Sequence, residues 1–295
     1  MKTIIIDGKK IAEDIKNEIT AEVRTMLDAG KRTPHLAAVI VGDDPASLTY
    51  VNSKSKSCHE VGFTSSLYSY ESTITENKLL EAIDFLNNDD EIDGFIVQLP
   101  LPEHISVQKI IARIKPSKDV DGFHPVNLGR MLMNEPSFLP ATPFGILQLL
   151  ERYNIETEGK SCVVLGRSNI VGTPVSVLLS RNANPGNCTV TLCHSKTKNL
   201  KEICAAADIL IVAIGKKEFV TNDMVKEGAV VIDVGMHRIP SIETKSGFKL
   251  YGDVNFNDVV NKCSYISPVP GGVGLMTVAA LLQNTLKAYK KEFQF

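Results

Sequence analysis

Apolar and polar positions along this chain follow two alternating rhythms. LAAVIVG (Leu36–Gly42) and the start of DGFIVQLPLP (Asp93–Pro102) are apolar runs of strand length, and SLYSY (Ser66–Tyr70) reads as a further strand. Between them, Ser47–Val61 and NKLLEAIDFLNND (Asn77–Asp89) read as helices. The opening MKTIIIDGKK has the look of a strand. Its apolar run of three isoleucines is too short for the core of a signal peptide. Strand–helix alternation of this kind predicts a parallel sheet with helices on its faces. Asn127–Gly145, rich in proline and turn residues, breaks the rhythm, and a domain boundary is placed near it. GILQLLERYN then resumes a helix. SCVVLG, NCTVTLC, ADILIVAIG and AVVIDVG follow as strands of a doubly wound unit of about 120 residues, close to ordinary domain size. TVAALLQNTLKAYKKEF closes the chain as an amphipathic helix whose lysines suit a helix C-terminus. The expectation is an α/β protein of two domains. The first domain runs to about residue 145, and the doubly wound one follows it.

Composition narrows the function classes. The chain has 295 residues, 43% of them hydrophobic, and a formal charge of -2, so a nucleic-acid partner is not expected. No stretch approaches the roughly 18 apolar residues of a membrane span, so no membrane partner is expected either. Six cysteines (Cys58, Cys162, Cys188, Cys193, Cys204 and Cys263) are scattered without a CxxC or Cys/His ligand spacing. They are read as reduced thiols of a cytoplasmic protein, with no metal site.

CVVLGRSNIVGTPV (Cys162–Val175) is a buried strand followed by Gly166, a short loop, Gly172 and Pro174. A strand, a glycine turn and a helix N-terminus together form the usual cradle for a pyrophosphate. The pattern Gly-x-Ser-x-x-x-Gly departs from strict GxGxxG, and a tight strand–helix turn without ligand is the competing reading. The next strand sharpens it. NAD enzymes place an acidic residue near its end for the ribose 2′-hydroxyl, whereas this strand runs into Cys193, His194, Ser195 and Lys196. With Arg167 and Ser168 in the glycine loop, the neighbourhood suits a 2′-phosphate. The cofactor inferred is NADP in preference to NAD.

YVNSKSKSCHEVG (Tyr50–Gly62) holds two lysines two residues apart. On a helix Lys54 lies about 40° from Tyr50 and shares its face with Ser53, Ser57 and Val61, while Lys56 lies about 120° away and faces solvent. A lysine desolvated beside an aromatic can serve as an acid or base; a surface Tyr–Lys pair is the competing reading. The Tyr-x-x-x-Lys of short-chain dehydrogenases follows the glycine loop in the same domain, and here it precedes it by over a hundred residues, which excludes that family. Gln98 stands at the C-terminal end of an apolar strand, where α/β sheets bind ligands. Asp119 and Asp121 share a loop bounded by proline and glycine, and either could be a turn or cap residue.

In order along the chain, YVNSKSKSCHEVG, DGFIVQLPLP, KDVDGFHPVNLGRM, VVLGRSNIVGTPV, CHSKT and SPVPGGVGLMT closely resemble the bifunctional methylenetetrahydrofolate dehydrogenase/methenyltetrahydrofolate cyclohydrolase family, over roughly residues 4 to 285. The resemblance implies a homodimer of two-domain chains with a folate cleft between the domains, residues 1–145 with the C-terminal helix from about 276 to 295 forming the folate-binding catalytic domain and residues 146–275 the Rossmann-type NADP-binding domain. It matches Lys54 to the catalytic lysine, Tyr50 to its folate-stacking neighbour, Gln98 to the glutamine that tunes the lysine and Asp121 to the aspartate that holds the pterin. Gly166, Arg167, Ser168 and Ser195 match NADP contacts, and Met236 the position beside the nicotinamide. Pro270 and Gly271 fall where the family touches folate. Ala141 and Leu275 stand where many members carry cysteine and proline, and neither is a proposed catalytic group.

The activity so implied is NADP-dependent oxidation of 5,10-methylenetetrahydrofolate, then hydrolysis to 10-formyltetrahydrofolate, serving one-carbon metabolism and purine, histidine and methionine biosynthesis. Two other readings are another two-lobed Rossmann dehydrogenase, against which the Lys54, Gln98 and Asp121 set argues, and a folate- or nucleotide-binding relative without activity. Formate ligation would need an ATP loop, and no GxxxxGK[ST] occurs.

Overall fold

A computed structural model describes residues 2–244 and 247–295. In chain order the elements are β1 (Ile4–Ile5), α1 (Gly8–Asp28), β2 (His35–Val41), α2 (Pro45–Glu60), β3 (Thr64–Tyr70), α3 (Glu76–Asn88), β4 (Gly94–Val97), α4 (Val107–Arg113), α5 (Pro125–Leu132) and α6 (Ala141–Arg152). They continue with β5 (Ser161–Leu165), α7 (Gly172–Ser180), β6 (Thr189–Cys193), α8 (Leu200–Ala205), β7 (Ile209–Val212), β8 (Ala229–Asp233), β9 (His237–Pro240), β10 (Phe248–Tyr251), α9 (Phe256–Val259), β11 (Cys263–Ile266) and α10 (Val273–Tyr289). The chain divides into two compact units, one of Glu13–Ala141 with Val278–Phe295, the other of Thr142–Thr277 with the segment ending at Ala12.

The first unit is built on a parallel sheet in the order β3-β2-β4. β2 and β4 are apolar and buried along nearly their whole length, as parallel strands covered on both faces must be. β3, at the edge, alternates between exposed and half-buried positions. Ala37, Val39 and Val41 of β2 pack with Leu79, Ile83 and Leu86 of α3 and Ile110 of α4. Helices α2 and α3 start on side-chain caps: Asp44 accepts from the Ser47 N–H at 2.7 Å ahead of Pro45, and Thr75 accepts from Lys78 N–H at 3.4 Å. The irregular stretch predicted for Asn127–Gly145 contains most of the helix α5 and the start of α6, which its prolines and turn residues concealed.

The second unit is a six-stranded sheet, all pairs parallel, in the order β1-β11-β8-β7-β5-β6, with an antiparallel β9–β10 ribbon beside it in sequence. Its four expected strands are β5 to β8. The sheet is extended by β11 and by β1, whose Ile4 and Ile5 pair with Tyr265 and Ile266. The N-terminal strand therefore belongs to the second unit and not to the catalytic domain in which the sequence reading put it. Two residues carry too little periodicity to show their partner.

The distal part of α10 belongs to the first unit, as the expected return of the terminal helix required. Asn284, 1% exposed, donates through Nδ2 to the Val120 carbonyl at 2.8 Å and the Leu139 carbonyl at 2.9 Å. Phe138 packs on Phe293 edge to face, with centroids 4.9 Å apart. Asn284→Leu strips two buried carbonyls of their donor. At about 1–3 kcal/mol per unsatisfied group, it is expected to cost roughly 2–6 kcal/mol, read as a lower denaturation midpoint in urea.

Candidate active site

Helix α2 carries its buried side chains at Ser47, Val51, Ser57 and Cys58, of which Ser47, Val51 and Cys58 form one stripe. Lys54 sits three residues after Val51 and four before Cys58, so it occupies the buried stripe where a fourth core residue would stand. Its ammonium donates to Gln98 Oε1 at 3.2 Å. Gln98 follows β4 directly; its N–H continues the ladder to the Val39 carbonyl at 2.8 Å, and its Nε2 donates to the Leu99 carbonyl at 2.7 Å. That second bond fixes the amide orientation, and the oxygen is left facing the lysine. Lys56, by contrast, has a side chain 79% exposed and only a long 3.9 Å approach to Glu60. Tyr50 lies on the same helix, 44% exposed, one turn before Lys54, while Ser53 is exposed and Ser57 and Val61 are buried. The shared face expected for Tyr50, Ser53, Ser57 and Val61 is therefore split between exposed and buried positions.

The two aspartates left open by the sequence separate. Asp119, 1% exposed, accepts from the N–H groups of Phe123 at 3.2 Å and His124 at 2.7 Å and from Asn127 Nδ2 at 2.8 Å. It is the turn residue that shapes the loop. Burial pushes its carboxyl up to about 7, against the pull of those three donors. Asp121 is the one within electrostatic reach of Lys54. Burial raises its carboxyl, and the Lys54 charge is the influence that lowers it. Gly122, at φ +74°, completes the turn, where a Cβ would lie 2.6 Å from Leu139 C. Lys54, Gln98 and Asp121 thus form one polar cluster in the first unit.

In the second unit the glycine loop leaves β5. Gly166 has φ +123°, and a Cβ there would lie 2.1 Å from the Ala213 carbonyl oxygen; at Gly172 it would lie 1.9 Å from that of Gly166. Only glycine permits this approach of loop, strand and helix, the requirement of a pyrophosphate cradle. Ser168 Oγ accepts from the N–H groups of Val171 at 3.2 Å and Gly172 at 3.4 Å and so caps α7 from within the loop. The N–H groups of Arg167 and Ser168 have no intramolecular acceptor among the described residues, and both side chains are exposed. β6 neighbours β5, with Leu165 opposite Cys193, so the turn that follows it emerges beside the glycine loop. In that turn His194 N–H donates to Thr197 Oγ1 at 2.9 Å and Lys196 N–H to His194 Nδ1 at 3.1 Å, and Ser195 and Lys196 project outward. Arg167, Ser195 and Lys196 therefore share one rim with no carboxylate among them, which fits a cofactor carrying an extra phosphate.

Met236, 40% exposed, follows β8, and its Cε lies 2.6 Å from where a Cβ on Gly274 would stand. Pro270 is exposed and Gly271, at φ +104°, accepts from Lys9 N–H at 3.1 Å; both belong to the second unit and not to the Lys54 cluster. Leu275 is 41% exposed on the first turn of α10, and Ala141 is buried at the start of α6. Among the described residues no three His, Cys, Asp or Glu side chains are grouped to hold a metal ion, and no helix is long and apolar enough to cross a membrane.

Sequence reasoning missed a pair of buried carboxylates, Asp233 and Asp253, at 3% and 0% exposure. Asp233 accepts from the N–H groups of Gly235, Asp253 and Val254, each at 2.9 Å. Burial pushes its carboxyl up to about 6. The available signal was an aspartate ending the wholly apolar run AVVID.

Comparison with known proteins agrees with this geometry. Residues 6–121 match the family model described as the tetrahydrofolate dehydrogenase/cyclohydrolase catalytic domain, and residues 140–293 match that of the NAD(P)-binding domain. The bifunctional protein FolD of Cytophaga hutchinsonii is 61% identical over 284 residues, covering 96% of this chain and 98% of its own. That of Porphyromonas gingivalis is 59% identical over 286 residues, 97% of each chain. Among solved structures, the bifunctional FolD methylenetetrahydrofolate dehydrogenase/cyclohydrolase of Campylobacter jejuni is 46% identical, with a TM-score of 0.92 over 99% of this chain and 100% of that one. The Trypanosoma brucei enzyme, complexed with NADP cofactor and inhibitor, is 36% identical, with a TM-score of 0.93 over 99% of each chain. With a dinucleotide cradle in one unit, a lysine cluster in the other and these relatives over nearly its whole length, the chain belongs to the tetrahydrofolate dehydrogenase/cyclohydrolase family.

Proposed function

We propose that this chain oxidises 5,10-methylenetetrahydrofolate with NADP and hydrolyses the methenyl product to 10-formyltetrahydrofolate. The observation that carries the reading is the Lys54–Gln98 hydrogen bond beside Asp121, in a chain whose other unit holds a glycine cradle with a cationic rim. When bound, NADP supplies the acceptor for a hydride from the methylene carbon. Gly166 and the free N–H groups of Arg167 and Ser168 would hold its pyrophosphate. Arg167 and Ser195, with Lys196, would hold the 2′-phosphate, and Met236 would lie beside the nicotinamide. Hydride transfer needs alignment and no general base, so this half of the chemistry asks only for rigid positioning.

Hydrolysis asks for more. Water adds to the methenyl carbon and the ring opens, and protons must move both ways. Lys54 gives and takes them at Nζ, held in place by Gln98 Oε1. Asp121 accepts from the N–H groups of the pterin, and Tyr50 lies one turn away to stack on the ring. Pro270 and Gly271 serve as further folate contacts. Neither step calls for a metal ion. In the same reading the chain works as a cytoplasmic homodimer that supplies one-carbon units for purine, histidine and methionine biosynthesis. Six free, buried thiols are in keeping with a reducing compartment.

Supplied with 5,10-methylenetetrahydrofolate, the protein is expected to reduce NADP faster than NAD, with no build-up of methenyl absorbance. Methenyl accumulation would mean that Lys54 is not competent, and silence with both cofactors would favour a binding protein without turnover. Lys54→Met is expected to lower cyclohydrolase at least about 100-fold, the usual scale of a lost acid–base group, with NADP affinity retained. Lys56→Met should leave both activities intact; an equal loss would show the wrong lysine had been chosen. Arg167→Ala is expected to weaken NADP binding by roughly 10- to 100-fold, the worth of one charged hydrogen bond, while NAD binding by calorimetry stays level.

A further inference from the structure

The sheet order places the ends of a dinucleotide without any ligand being present. β5 carries the glycine cradle and lies between β6 and β7. The phosphate-suited rim of Arg167, Ser195 and Lys196 lies on the β6 side. A cofactor anchored there must extend its other half the opposite way, over the ends of β7 and β8, which stand about 5 and 10 Å from β5 at the usual strand spacing. The loops it meets are Ile214–Lys216, after β7, and Gly235–His237, after β8, the second of which carries Met236.

Both loops are tied to one buried carboxylate. Asp253 Oδ2 accepts from the N–H groups of Ile214 at 2.7 Å and Gly215 at 2.9 Å. Its Oδ1 accepts from Lys216 N–H at 2.9 Å and from His237 Nε2 at 2.7 Å. Three successive N–H groups, with Gly215 at φ +68°, make a backbone nest of the kind that binds anions. Here the anion is the protein's own, so this nest cannot take a phosphate. Asp253 N–H in turn donates to Asp233 Oδ1, which also receives Gly235 N–H. Asp253 thereby joins the β7 loop to the β8 loop, its carboxylate accepting from His237 and its N–H donating to Asp233 at the β8 terminus.

We propose that Asp253 and His237 are positioning residues of the dehydrogenase reaction, clamping the loops after β7 and β8 into one rigid rim on which the nicotinamide half of NADP lies. They touch neither reactant. Their effect is on where Met236 and the Ile214–Gly215 backbone stand when the cofactor binds. The inference rests on the dehydrogenase reading above and separates the two activities, because the lysine cluster lies in the other unit.

His237→Leu removes one strut and leaves the nest filled; His237→Gln keeps an N–H donor of similar reach. Each variant, with Asp253→Asn as the stronger lesion, is assayed for NADP reduction, for cyclohydrolase with methenyltetrahydrofolate supplied directly, for NADPH binding by fluorescence titration and for thermal melting. His237→Leu is expected to lower dehydrogenase kcat/KM for NADP at least tenfold and to weaken NADPH at least fivefold. Cyclohydrolase should stay within twofold, and His237→Gln should restore dehydrogenase to within threefold of wild type. Loss of both activities together, unchanged NADPH binding in His237→Leu, or no rescue by His237→Gln would overturn the clamp. The binding titration separates the two levels of the argument. A wild-type chain that binds NADPH but reduces no NADP refutes the proposed function while the clamp is still read from affinity, and one that binds no NADPH refutes both.

Discussion

Parallel strands cannot be joined by hairpins. Each connection must cross back over the sheet and begin again at the same end. Every strand of a parallel sheet therefore delivers its C-terminal loop to one rim of that sheet, and each half of the chemistry follows from the wiring of its own unit. In the first unit β2 and β4 are neighbours, so the helix after β2 and the glutamine after β4 start from the same edge, and Lys54 meets Gln98 there. In the second, the loops after β5, β6, β7 and β8 line one edge in the order the sheet sets, and the division of labour among them follows from their place in it. The glycine loop sits at the strand where the order turns, the place where open α/β sheets bind ligands.

Much of this was legible in the chain because it depends on local pattern. The apolar runs of β5, β7 and β8 read directly as buried strands, and the angle between Lys54 and Lys56 on a helix assigned them opposite fates that the exposure of Lys56 bears out. The alternation also disclosed the two sheets. What escaped were features that exist only through distant partners. β1 is two residues long and is a strand because Tyr265 and Ile266 lie beside it. Asp119 and Asp121 are chemically alike and two residues apart, and only the fold decides that one receives three donors and the other comes under the charge of Lys54. Asp253 carried no local sign at all, since its partners are 16 to 39 residues away in sequence.

Four buried or half-buried aspartates thus solve the same problem in different ways. An unpaired carboxylate in an apolar setting is costly, and the protein must solvate it from within or leave it a counter-charge. Asp119, Asp233 and Asp253 are solvated by backbone N–H groups, and each holds a turn in shape. Asp121 has a cation nearby and no such set of donors among the described residues, which leaves its oxygens available to something that arrives. The number of internal donors a carboxylate already has is thus a physical guide to whether it is scaffold or site.

The glycines packed against these carboxylates have a consequence for how the sequence can change. A Cβ on Gly252 would lie 1.8 Å from Asp233 Oδ2, and one on Gly235 would lie 2.5 Å from Asp253 Cγ. Each glycine is the space that the other loop's carboxylate fills. Substituting one member of the set collides with the rest, and shortening or removing a carboxylate leaves N–H groups stranded in the interior. Positions 233, 235, 252 and 253 are therefore bound by strong epistasis: single steps away from the present combination lead downhill in fitness, and descendants of this chain can drift widely around the four while the four themselves change only as a block.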